Sequence, residues 1–86
     1  GIHGGMNMKK MDERNLEIIL GLVPKGETVT ARQALDKLID YKLGRGDNMM
    51  YVPNVNRMNA ILRWANEFQR MPSEATKSHV RFVRAY

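Results

Sequence analysis

The segment at residues 52–68 constrains the fold more than any other part of this 86-residue sequence. Pro53 suits the first turn of a helix, and Asn54 is a favourable N-cap residue. Apolar side chains then recur at the i, i+3, i+4, i+7 spacing of one helical face, at Val55, Met58, Ile61, Leu62, Ala65 and Phe68. The spacing predicts an amphipathic helix over residues 54–66 with one face packed against a core.

The opposite face of this predicted helix is polar. At about 100° per residue it carries small or hydrogen-bonding side chains, namely Asn56, Asn59, Ala60 and Arg63, with Glu67 at its end and Arg57 on its flank. Amide and guanidinium groups bind phosphates and base edges. The same pattern also fits an ordinary solvated helix face, so the helix alone leaves both interpretations open.

The positive charge of the chain is concentrated in the half that contains this helix. The net charge is +5; residues 1–41 carry six basic and six acidic residues, whereas residues 42–86 carry eight basic and three acidic residues. Such asymmetry favours an acidic partner, most commonly nucleic acid. Charge alone does not separate DNA from RNA or from an acidic protein.

Length and composition favour one small domain. A hydrophobic content of 43% fits a folded chain, and the absence of cysteine excludes disulfide scaffolds and cysteine-based zinc sites. No apolar run reaches the roughly 18 residues of a membrane span, and no secretory signal is visible. We therefore expect a cytoplasmic protein with no membrane segment. Residues 1–10 are expected to be a disordered tail, partly a cloning remnant, followed by a domain over residues 11–86.

Two further helices and three short strands are predicted around the central helix. Helices are expected at 12–23 and 31–43, the second opened by a capping box in which Thr30 and Gln33 exchange hydrogen bonds. Strands are expected at 28–29, 67–71 and 79–84, the last two forming a hairpin around a polar loop. The predicted core comprises Leu16, Ile19, Leu20, Leu35, Leu38, Ile39, Val55, Met58, Leu62 and Phe82.

This order of elements resembles a winged helix-turn-helix domain over residues 12–84. The resemblance rests on VTARQALDKL entering the second helix, YVPNVNRMNAILR for the third, and RMPSEATKSHVRFVR for the wing. Residues 44–53 depart from it, because they are longer than the tight turn of a simple helix-turn-helix. The resemblance implies an α+β, mostly helical fold with three helices and a C-terminal β-hairpin wing.

The resemblance also implies a function. In that family the third helix enters the major groove of double-stranded DNA and the wing touches the backbone, which suggests a small transcriptional regulator. The residues that match are Asn54, Asn56, Arg57, Asn59 and Arg63 on the third helix, and Arg70, Lys77, His79, Arg81 and Arg84 on the wing.

Other functions stay open at this stage. Winged helices also serve as protein-interaction modules in transcription or replication assemblies, and Met49, Met50 and Trp64 could supply such a contact. RNA binding by the basic half is a third alternative. No catalytic motif is present, so we expect neither an enzyme nor a cofactor or metal site. Without a long helix or heptad run for dimerisation, we expect a monomer or a weak homodimer.

Overall fold

The fold is α+β and mostly helical in the computed structural model, which describes residues 8–46, 51–71 and 80–86. Within these residues the chain forms helix α1 (Lys10–Leu22), strand β1 (Thr28–Thr30), helices α2 (Ala31–Arg45) and α3 (Val55–Trp64), and strands β2 (Phe68–Arg70) and β3 (Arg81–Arg84). The predicted order is confirmed, and each boundary lies within about two residues of its expected place. Residues 1–7 lie outside the described residues, whereas Lys10, expected in the tail, already belongs to α1.

The helices begin where the sequence supplies capping side chains. The Gln33 amide donates to Thr30 Oγ1 at 3.1 Å, and the Thr30 amide donates to Gln33 Oε1 at 3.0 Å. This exchange confirms the capping box predicted for α2. The Arg57 amide donates to Asn54 Oδ1 at 2.7 Å, so α3 begins as predicted. Helix α2 ends at Gly46, whose φ of 72° is the left-handed conformation that favours glycine.

The three strands form an antiparallel sheet in the order β1-β3-β2. Phe82, in the central strand, pairs with Val29 on one side and with Arg70 on the other. Backbone hydrogen bonds extend the β1–β3 pairing, since the Arg84 amide donates to the Glu27 carbonyl at 2.8 Å. The sequence predicted the hairpin of β2 and β3 and the extended residues 28–29. It did not predict that β1 would join the same sheet.

One core lies between the sheet and the helices. Ile19, Leu35, Leu38, Met58, Leu62 and Phe82 are buried as predicted, whereas Leu16, Leu20, Ile39 and Val55 are partly buried and pack at the edge of the core. Val29 and Phe68, outside the predicted core, are buried beside Phe82. Because the apolar stripe of α3 faces this core, the polar face of α3 is turned outward.

Within the described ranges, none of the helices has the length and apolar character needed to cross a membrane. The same residues contain no group of His, Cys, Asp or Glu side chains placed to hold a metal ion.

Candidate nucleic-acid interface

The outer face of α3 presents the side chains predicted for it. Met58, Ile61 and Leu62 are fully buried on the inner face. On the outer face, Asn56 and Arg63 are exposed, and the smaller Asn59 and Ala60 are half-buried. A row of one small and three hydrogen-bonding side chains therefore runs along the accessible side of the helix.

A hollow of about 260 Å³ lies where this face meets the sheet. Asn59 and Arg63 of α3, Arg70 of β2 and Val80 line it. The sheet register places Arg70 there, because Arg70 pairs with the buried Phe82 at the end of β2. Two guanidinium groups and one amide beside a single hollow supply several donors and two positive charges, which suits an anion such as a phosphate group. Three of the ten predicted site residues are thus brought together.

Arg57 has partners within the molecule instead. Its Nε and Nη2 both donate to Asp12 Oδ2, the Nε at 3.1 Å, and its guanidinium lies 5.1 Å from the centre of the Trp64 ring. Burial alone would raise the pKa of Asp12, but hydrogen bonds from Arg57 and from the Lys9 amide, with the charges of both side chains, hold it below its usual value. Arg57 therefore joins α3 to α1.

Arg84 is also occupied internally. Its Nη1 donates to the carbonyls of Leu20 and Val23 at 2.6 and 2.8 Å, and its Nε donates to the Tyr86 carbonyl at 3.0 Å. The first two acceptors lie at the C-terminal end of α1, where carbonyl groups lack helical partners and a positive charge is favourable. This side chain thus connects β3 to the end of α1.

The remaining predicted residues that the structure describes do not line the hollow. The side-chain oxygen of Asn54 accepts a hydrogen bond from the Arg57 amide and so caps α3. Arg81 is exposed, and because strand residues alternate in direction it lies on the opposite face of the sheet from the buried Phe82. Lys77 and His79 fall outside the described residues, as does most of the hairpin loop.

Two buried polar residues of α1 help to position α3. Their role was not predicted from the sequence. Asp12 binds Arg57, and Asn15 Nδ2 donates to the carbonyl of Tyr51 at 3.1 Å, just ahead of α3. Both side chains are buried, on the same helical face as Ile19. The sequence did contain a signal for them, because polar residues at core-facing positions of a helix require hydrogen-bond partners elsewhere in the fold.

Comparison with models of known protein families, with curated proteins and with solved structures gives no match. The functional argument therefore depends on the fold and the geometry of the site.

Proposed function

We propose that this chain is a winged helix-turn-helix domain that binds double-stranded DNA, with α3 in the major groove, and acts as a small transcriptional regulator. The observation that carries the proposal is the grouping of Asn59, Arg63 and Arg70 around one hollow on the outward side of α3. Neutral amides beside guanidinium groups suit a surface that meets both base edges and phosphates.

The dimensions of α3 fit this use. Its ten residues span about 15 Å at 1.5 Å per residue, and the major groove is about 12 Å wide and admits an α-helix. Asn56, Asn59 and Arg63 are spaced by three and four residues and so share one side of the helix. The small side chain of Ala60 beside them lets the backbone approach the bases closely.

The side chains divide into two roles. Asn56, Asn59 and Arg63 would read bases, because Asn pairs with adenine and Arg with guanine through two hydrogen bonds each. Arg70 would hold a phosphate at the edge of the groove, and the wing residues Lys77, His79 and Arg81 would contact the backbone beyond it. Arg57 and Arg84 are left out of the interface because their guanidinium groups already bind Asp12 and main-chain carbonyls.

No comparable grouping of described residues supports the alternative hypothesis of a protein-interaction module. Met49 and Met50, two of its three predicted residues, lie outside the described residues. The third, Trp64, is half-buried with the Arg57 guanidinium over its ring. We therefore develop only the DNA-binding proposal.

The proposal is tested by titrating a labelled duplex of mixed sequence at about 50 mM and about 200 mM salt, because phosphate contacts make affinity depend on salt. The key variant is the double substitution Arg63→Ala, Arg70→Ala. A matched control, Lys25→Ala with Lys37→Ala, removes the same charge from exposed residues that do not line the hollow.

We expect the key variant to lose at least about tenfold in affinity, and its salt slope to fall by between about one and two. The control should keep the wild-type slope within about half a unit. Undetectable binding at the lower salt concentration, or equal losses in both double variants, would show that this surface does not bind DNA.

A further inference from the structure

We infer that the DNA interface continues onto the N-terminal end of α1, where Lys9 and Lys10 contact backbone phosphates on the opposite side of α3 from Arg70. This inference rests on the proposed function and adds a second phosphate-contacting region to it. Neither lysine was a predicted site residue, since both fall within residues 1–10, the stretch expected to be a tail.

The ion pair between Asp12 and Arg57 brings this end of α1 against α3. The main-chain amide of Lys9 donates to Asp12 Oδ2 at 3.2 Å, and Arg57 Nε donates to the same oxygen at 3.1 Å. Two donors on one oxygen atom place Lys9 beside the first turn of α3. Lys9 and its neighbour Lys10 are both exposed. Their ammonium groups are therefore accessible to a partner that binds α3.

The two flanks of α3 face different parts of the fold. Arg57 and Asn59 lie on opposite flanks, because two residues turn an α-helix by about 200°. Asn59 faces the sheet, where it lines the hollow with Arg70. Arg57 faces α1, where it binds Asp12. The outward face of α3 therefore runs between a cation of β2 on one side and the two lysines of α1 on the other.

This arrangement matches the two walls of a major groove. A helix with its side chains is about 10–12 Å across, and the major groove is about 12 Å wide with a phosphate backbone on each side. Arg70 would then meet the backbone of one strand, and the lysines of α1 would meet the backbone of the other. Lysine suits such a contact, because its ammonium group is a point charge on a flexible stem.

The charge at this end of α1 is positive, although two acids share its first turn. Arg57 neutralises Asp12, which leaves Glu13 against Lys9 and Lys10. The sequence ahead of Lys9 contains no Asp or Glu, so no carboxylate side chain from that part of the chain offsets the lysines. An acidic partner is favoured by this balance.

The test is the duplex titration at about 50 mM and about 200 mM salt with the double variant Lys9→Ala, Lys10→Ala. The bond from Lys9 to Asp12 is made by the main chain and survives the substitution, and urea unfolding checks that stability is kept. We expect affinity at the lower salt concentration to fall at least about fivefold, and the salt slope to fall by between about one and two. The matched control, Lys25→Ala with Lys37→Ala, should keep the wild-type values.

Phosphate ethylation interference then locates the contacts. The phosphates whose ethylation blocks wild-type binding should form two groups on opposite strands, facing each other across the major groove. The lysine double variant should lose sensitivity in one group, and Arg70→Ala should lose it in the other. The base preference of the lysine variant should stay at the wild-type value, because phosphate contacts carry no direct sequence information.

The outcomes separate this inference from the proposed function. If the lysine variant keeps the affinity and salt slope of the control while the double substitution Arg63→Ala, Arg70→Ala weakens binding, the inference is wrong and the proposed function stands. Loss of sensitivity at the same phosphates in the lysine variant and in Arg70→Ala would also overturn it, because both contacts would then lie on one side of α3. Absence of duplex binding by the wild-type chain would reject both.

Discussion

The carboxylate of Asp12, in the first turn of α1, accepts two hydrogen bonds from the guanidinium of Arg57, in the first turn of α3, across 45 residues of sequence. The Asp12 side chain is 8% exposed and that of Arg57 is 35% exposed. Because Arg57 also lies over the Trp64 ring at the end of α3, the pair fixes the helix at its start and along its length. The orientation of the outward face of α3 therefore depends partly on α1.

The first prediction concerns the pH dependence of this pair. The folded-state pKa of Asp12 lies below its ordinary value, so the unfolded chain takes up the proton first as the pH falls. The stabilisation is thus fully present above the ordinary Asp pKa of about 3.9 and is lost as the pH falls through the folded-state value. At pH about 7 we expect Asp12→Asn to cost about 1–2 kcal/mol, reduced by the partial exposure of Arg57.

This prediction is measured by urea unfolding of wild type and Asp12→Asn between about pH 7 and pH 3. The difference in unfolding free energy between wild type and Asp12→Asn should become smaller below about pH 4. Asp40→Asn, an exposed substitution on α2, is the control and should show no such narrowing. A gap that stays constant over the whole range would mean that the ion pair does not stabilise the fold.

The second prediction concerns the core beneath α3. Leu38 and Leu62 are fully buried, so replacing either with Ala should lower the free energy of unfolding by about 2–5 kcal/mol, through lost apolar contacts and the cavity left behind. Leu43 is 61% exposed, and Leu43→Ala should change stability by no more than about 0.5 kcal/mol. Chemical denaturation of the three variants makes the comparison; equal effects at Leu43 and Leu62 would contradict the burial of α3.

The third prediction separates stability from binding at Arg84. Arg84→Ala removes donors from the Leu20, Val23 and Tyr86 carbonyls and should cost about 1–3 kcal/mol of stability. Under conditions where the variant is folded, its affinity for duplex DNA should stay within about twofold of wild type, because the guanidinium already donates to three main-chain carbonyls. Arg84→Lys keeps the charge but not the planar fork and should recover only part of the stability. A loss of affinity without a loss of stability would return Arg84 to the interface.

The fourth prediction concerns base recognition. Arg63→Ala and Asn59→Ala should each relax the preference at one base position, by about 1–3 kcal/mol of discrimination. Arg70→Ala should instead weaken binding to all sequences and lower the salt slope by about one. Selection from a random duplex library, followed by affinity measurements on single-base variants of the selected site, distinguishes these outcomes. Identical losses on every sequence for all three variants would mean that α3 does not read bases.

The elements could be predicted from the sequence because their signals are local. The apolar spacing of residues 55–62 and the Thr30 and Asn54 caps each act within a few residues. The outward direction of Asn56, Asn59 and Arg63 follows from the same spacing. These features were therefore predicted within about two residues.

The partners of the arginines could not be predicted, because they lie far away in the sequence. Arg57 and Arg84 look like surface cations in a basic half of the chain, yet the acceptors they meet on α1 lie 45 and 61–64 residues away. Arg70 and Arg81 look alike as well, but the register of β2 on β3 places only Arg70 beside Arg63. Charge patterns identify candidate cations, and tertiary packing decides which of them remain available to a ligand.

The position of β3 in the sheet also has a consequence for how the chain folds. Strands β1 and β2 each bond to β3 and not to each other, and Val29 meets Phe82 across about 50 residues. The helices form from local contacts, but bringing β1 to β3 requires closure of a long loop, which slows folding relative to a helical bundle of the same size. A chain shortened before Phe82 would leave both outer strands without a partner. The pairing of β1 with β3 is therefore expected to form late, whereas β2 and β3, separated by only ten residues of sequence, can pair earlier.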